Sequence, residues 1–192
     1  MLAVLQVSPA ATTEIEDDCP AVDPFASFLF HRYPAEQKSI FKAQFKASDS
    51  EEQSGQEGVD HIIRVVASSH RSHCAPVRLV IVHGGADFDS RGTALEDSVS
   101  VERAFQAMKE IQAQLLPALK AAVEKGEIAD VSVSFTFGGL GSRGAVHKSP
   151  NSEAERAVNR FVSVRFAHSP AAATTTTEPP EDVTAAEPSS EE

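Results

Sequence analysis

The chain has 192 residues and a formal charge of −11, but the excess sits entirely at its ends. Residues 1–24 hold five acids and residues 169–192 hold six, with no Lys or Arg in either, leaving 17 acids against 17 bases between them. That balanced middle excludes a general nucleic-acid binder, which needs a net basic surface.

Residues 169–192, a stretch of Ala, Thr, Pro, Glu and Ser, carry too little apolar surface to offset chain entropy and are expected to be disordered. Residues 1–24 read as an acidic, flexible N-terminal segment. The expected fold occupies residues 25–168, long enough to bury about two-thirds of the surface of the unfolded chain. The opening residues lack a basic segment and a full-length apolar core for secretion, so no ordinary export signal is expected. No run approaches the ~20 apolar residues of a membrane span, and the chain reads as soluble. Of the two cysteines, Cys19 and Cys74, free or buried thiols are favoured over a disulfide.

Along the chain, the apolar segment 25–31 has no assigned place. Residues 39–47 alternate, with Phe41, Ala43, Phe45 and Ala47 on one face, which predicts a half-buried strand. Residues 48–58 form a polar loop. Val59, Ile62, Ile63 and Val66 then recur at the spacing of a short amphipathic helix. Residues 77–82 are nearly all apolar, as expected of a central strand. A long helical pattern opens between Ser98 and Ser100 and runs through Ala104, Phe105, Met108, Ile111, Leu115, Leu119, Ala122 and Val123. Pro117 predicts a bend or a second helical piece, and Gly126 a stop. Val131, Val133, Phe135 and Phe137 alternate with polar residues as a strand with one wet face. Residues 153–159 form a short helix, and Val162, Val164 and Phe166 a last strand. The order β-α-β-α-β-(α)-β predicts an α+β sandwich, with helices on one face of a four-stranded sheet.

Three motifs are set aside. Gly139-Leu-Gly141-Ser-Arg-Gly144 follows a strand, but no helix opens there and no acid ends the next strand, so it reads as a glycine-rich turn. Asp87-Phe-Asp89-Ser-Arg91-Gly92 starts like a calcium loop but places Arg91 where an oxygen ligand is required. His70, His73, Cys74 and His83 lack the separated pairs of a structural zinc site and read as a solvated loop. No spacing selects a nucleophile, so no catalytic residue, metal or cofactor is assigned and the chain is read as a non-enzyme.

Asp87, just past the 77–82 strand, and Arg103, early in the long helix, are placed by the connectivity at one edge of the sheet. An acid and a guanidinium there can clasp a small zwitterion; the plain alternative is that they pair with each other at the surface.

The string Gly84-Gly85-Ala86-Asp87, then Arg91-Gly92-Thr93, then Val99-Ser100-Val101-Glu102-Arg103-Ala104, resembles the OmpA-like peptidoglycan-binding domain, shared by peptidoglycan-associated lipoproteins and flagellar stators. The turn 137–141 and the segment Glu155-Arg156-Ala157-Val158-Asn159-Arg160-Phe161-Val162 are similar to that family's second half. The resemblance is best over residues 77–166. It implies a non-catalytic domain that anchors to the cell wall by binding the diaminopimelate-containing stem peptide of peptidoglycan, in the periplasm or outer membrane of a bacterium. It also implies roles for Asp87 on the ligand's ammonium and Arg103 on its carboxylate, with Ala86 beside them and Asn159 and Arg160 at the pocket's edge. The chain departs from the family pattern in four places. Gly85 replaces a histidine, Glu96 an asparagine and Phe161 a second arginine, and the loop gains two residues around Phe88 and Asp89. Asp89 therefore competes with Asp87 for the acid's role. The rival expectation is a structural or assembly component of an envelope-associated machine, using the fold for protein contacts with altered or lost wall binding.

Overall fold

The computed structural model describes residues 28–47, 50–71, 74–129 and 132–168. The two acidic ends, and the expectations of disorder attached to them, lie outside these residues, as do His73 and Val131. The α+β architecture is the expected one, but the sheet has six strands rather than four, in the order β3-β2-β1-β6-β4-β5.

The two strands missed by periodicity lie at the N-terminal side. The unassigned apolar segment supplies β1 (Phe28–His31), which sits inside the sheet, antiparallel to both β2 (Gln44–Ala47) and β6 (Val162–His168). Four residues are too few to display an alternation, so only their neighbours identify them as strand. The two-residue β3 (Gln53–Ser54) extends the edge beside β2. The expected strand over residues 39–47 is half right. Its first part is a 3-10 turn (Ile40–Lys42) that buries Ile40, whose N–H donates to a carboxylate oxygen of Glu110 at 2.7 Å, and leaves Phe41 exposed.

Helix α1 (Gly55–Ser69) begins inside what reads as a polar loop. Ser54 and Glu57 form a capping box: the Ser54 hydroxyl accepts from the Glu57 N–H at 3.3 Å, and the Glu57 carboxylate accepts from the Ser54 N–H at 2.8 Å. Two of the four N–H groups orphaned at a helix start are thereby satisfied. The face carrying Val59, Ile62 and Val66 is fully buried.

Strand β4 (Val77–Gly84) lies parallel to β5 (Ser134–Gly139) and antiparallel to β6, with Val82 opposite both Val164 and Phe137. Helix α2 (Thr93–Glu124) is one continuous helix of 32 residues. It starts five residues before the expected opening at Ser98, after Gly92, whose φ of 102° suits glycine. It also runs unbroken through Pro117. The carbonyl of Ala113, the usual acceptor for residue 117, belongs to an exposed residue, so water can satisfy it. Gly126, with φ 74°, donates its N–H to the Val123 carbonyl and marks the stop, as expected.

The core lies between one face of the sheet and helices α1 and α2. Phe30, Phe45, Val80, Val82, Val162, Val164 and Phe166 face Ala104, Ala107, Ile111, Leu115 and Leu119. Each such apolar side chain contributes about 1.5–3 kcal/mol when buried. Cys74 is disulfide-bonded rather than a free thiol, which corrects the expectation for that residue, while Cys19 lies outside the described residues. His70, assigned to a solvated loop, is buried, and its Nε2 lies 3.0 Å from the Val77 carbonyl oxygen. No helix of the described residues is long and apolar enough to cross a membrane.

Candidate functional site

The core-facing stripe of α2 changes character along its length. From Ala104 to Leu119 it is apolar, but its first three positions are Glu96, Ser100 and Arg103, all buried. These three residues lie where the helix meets the C-terminal ends of the parallel strands β4 and β5. The helix comes in so close that a Cβ on Gly84 would stand 2.0 Å from the Ser100 carbonyl oxygen. The segments after both strands, 85–92 and the 3-10 turn Gly141–Gly144, therefore share one end of the sheet. Ser100 joins them: its hydroxyl accepts from the Gly141 N–H at 3.0 Å, while Leu140 N–H donates to the Gly84 carbonyl at 2.8 Å. The glycine-rich motif is thus a turn that anchors this end.

Arg103 is 1% exposed and has no ion pair with a carboxylate among the described residues. Its guanidinium donates to three backbone carbonyls: Gly85 at 3.0 Å, Ala35 at 3.1 Å and Gln37 at 3.3 Å. It lies over the ring of Tyr33, 5.6 Å from the centroid. Three of its five N–H donors are used, so two remain. Burial pushes its pKa down to about 10, a shift opposed by Tyr33, assisted by Arg160 and opposed by Asp87. The side chain stays cationic at neutral pH.

Asp87 does not pair with Arg103, so the plain surface salt bridge is excluded. Its Oδ1 accepts from Asn159 Nδ2 at 2.9 Å and its Oδ2 from Arg156 Nη1 at 3.1 Å. Asn159, fully buried at the end of α3 (Glu153–Asn159), also donates to the His147 carbonyl and accepts from the His147 N–H, both at 2.9 Å. Asn159 therefore orients the acid and ties it to the 144–150 segment. Arg160 is buried and donates to the Tyr33 carbonyl at 2.6 Å and to Glu153.

Asp89 is engaged differently. Arg91 grips both of its oxygens, at 2.9 and 2.8 Å, and holds its pKa down to about 2 through hydrogen bonds. Glu96 explains how the enlarged loop is held. One carboxylate oxygen accepts from the Asp89 N–H at 2.7 Å and the other from the Ser142 hydroxyl. A glutamate at this place thus bridges the loop to the glycine turn.

Gly85 and Phe161 are coupled by packing. A Cβ on residue 85 would lie 2.2 Å from Cε1 of Phe161, whose ring fills the space beside Gly85, and Gly85 N–H donates to the Phe161 carbonyl at 2.7 Å. An aromatic ring at 161 thus requires glycine at 85.

Asp87, Asp89, Arg103, Arg156 and Arg160 line a cavity of about 490 Å³, with Phe88, Leu95 and Val99 as apolar wall. The cavity collects five of the six expected site residues, and the sixth, Asn159, supports Asp87 from behind. Arg156 was not singled out by sequence, although its spacing of three from Asn159 places both on one helix face. Among the described residues no cluster of His, Cys, Asp and Glu has the arrangement of a metal site.

No protein-family model and no curated protein matches the chain. Among solved structures, the chain is similar to the periplasmic domain of Helicobacter pylori MotB, at 18% identity over 74% of this chain and 81% of that one, with a TM-score of 0.42. A second structure, described as the periplasmic domain of MotB, aligns at 16% identity over 88% and 91% of the two chains, with a TM-score of 0.39.

Proposed function

We propose that this domain is a non-catalytic binding module that holds the free zwitterionic end of a diaminopimelate-containing peptidoglycan stem peptide. The observation that carries the reading is Arg103: a buried guanidinium with no carboxylate partner, two N–H donors left over, and a place in the wall of a cavity shared with Asp87. An arginine fork suits a carboxylate, and an aspartate suits an ammonium. Asp87 is favoured over Asp89 for the acid's role, since Asp89 is already gripped on both oxygens by Arg91. Two charge-assisted contacts of roughly 1.5–3 kcal/mol each give roughly millimolar affinity, suited to a weak tether on a polymer. The disulfide at Cys74 agrees with an oxidising compartment such as the periplasm.

The test is sedimentation with purified diaminopimelate-type peptidoglycan, followed by titration with soluble stem peptide. Arg103→Lys is expected to lose roughly tenfold or more in affinity, and Asp87→Asn a smaller factor of roughly two- to fivefold, because Arg156 already neutralises the acid. Equal binding by Asp87→Asn would remove Asp87 from the site, and absence of binding by the parent would remove the reading.

The rival reading, an assembly component working through protein contacts, is favoured by a separate observation. Val101, Phe105 and Phe137 are each about 40% exposed where α2 meets the edge strand β5, and the two rings touch at 5.2 Å. Exposed apolar patches commonly mark contact surfaces. Fractionation with copurification decides between the two: a stoichiometric protein complex that survives Asp87→Asn but not Phe105→Ser favours the rival.

A further inference from the structure

The carboxylate of Asp87 is already neutralised before any ligand arrives, and its two partners differ in how easily they can leave. Asn159 is fully buried, with its amide bonded on both sides to the His147 backbone. Arg156 has a side chain 43% exposed and touches Asp87 through one nitrogen at 3.1 Å. The acids nearest it on α3 are otherwise engaged, Glu153 with Arg160 and Glu155 with the Asn151 N–H. Released from Asp87, Arg156 could hydrate in place.

Resting on the zwitterion reading above, we propose that Arg156 is a built-in counter-ion that a ligand's ammonium must displace from Asp87, so that it sets the pocket's selectivity for ammonium-bearing ligands. The charges around the cavity lead to this. Of the cations lining the cavity, Arg91 is matched by Asp89, Arg160 by Glu153, Arg156 by Asp87 and Lys38 by Glu102, which leaves Arg103 as the one with no carboxylate partner among the described residues. A simple carboxylate binds Arg103 with no exchange. An ammonium gains at Asp87 only the difference between its own ion pair and the one it breaks. Ammonium selectivity is therefore muted while Arg156 is present and unmasked when it is removed.

The experiment is an NMR titration of the full chain with meso-diaminopimelate and with pimelate, the same seven-carbon diacid without amines. Parent, Arg156→Gln, Asp87→Asn and the double variant are compared. Arg156→Gln should bind diaminopimelate more tightly by roughly two- to fivefold, the range a half-exposed ion pair supports, while pimelate, a dianion that meets an uncompensated Asp87, binds no more tightly. In the Asp87→Asn background the same substitution should have no effect on diaminopimelate. Arg156→Met, which cannot donate to Asp87, should repeat the gain. Weaker or equal diaminopimelate binding by Arg156→Gln, or an equal shift for both ligands, overturns the counter-ion role alone. Failure of every protein, parent included, to bind diaminopimelate overturns the role together with the cell-wall reading beneath it.

Discussion

A side chain at position 85 and a ring at position 161 cannot share the space beside the end of β4. The Phe161 ring is 8% exposed, and the missing Cβ of Gly85 would fall 2.2 Å from it. Gly85→Ala alone is therefore expected to cost about 1–3 kcal/mol through overpacking, and Phe161→Ala about 3–5 kcal/mol through the cavity it leaves. The pair should cost less than the sum by at least ~1 kcal/mol, because each change relieves the other. Urea denaturation of the four proteins checks this, and strict additivity would show that the backbone, not the ring, requires glycine. Arg103 is legible in the sequence for its position, but its three carbonyl partners are not. Those carbonyls belong to Ala35, Gln37 and Gly85, which lie 68, 66 and 18 residues before Arg103 and act without side-chain character. Asp87 shows the same division: the acid is legible from its motif, while its partner Arg156 is set only by the tertiary placement of α3 beside the loop that follows β4.

At the scale of elements, the strongest sequence patterns were those with length. The buried faces of α1 and α2 and the runs of β4 and β6 repeat enough times to be read. Strand β1 has four residues and β3 two; β1 exists through pairing with the distant β6, and β3 through pairing with its neighbour β2, rather than by local pattern. The start of α1 was legible in principle, since Ser54 and Glu57 stand at capping-box spacing. Pro117 does not end the helix: packing of Leu115 and Leu119 on either side of it holds α2 together. Replacing it tests that account. Pro117→Ala restores an N–H that can donate to the Ala113 carbonyl and removes a poor helix former, and is expected to stabilise the fold by about 1–3 kcal/mol. A fall in urea midpoint instead would mean that Leu119 is seated by a bend which proline imposes.

For the whole molecule, the helices and the aromatic layer of the sheet meet around His61. Its ring lies 5.4 Å from that of Phe28 and 5.7 Å from that of Phe45. Burial first, and Arg64 second, lower its pKa below the ordinary 6.5. His31, on the sheet, is lowered in the same direction by burial, with Glu52 opposing and Arg32 and Lys46 assisting. The consequence for stability has a definite sign. Above pH 6.5 both residues are neutral in folded and unfolded chains and contribute nothing. As the pH falls through 6.5 the unfolded chain takes up protons that the folded chain resists, so stability declines until the folded pKa values are passed. The carboxylates act in a separate window. Asp89 and Glu57 have lowered pKa values, so the stability they supply is present above their unfolded values and is lost at more acid pH. Thermal unfolding followed between pH 7.5 and 5.5 should therefore show a falling midpoint before any carboxylate titrates. His61→Phe keeps a ring between Phe28 and Phe45 without an ionisable group, and should flatten that part of the profile while leaving the acid limb below pH 4 in place. An unchanged slope in His61→Phe would mean that the ring takes up its proton within the fold, and that the aromatic layer is open to water.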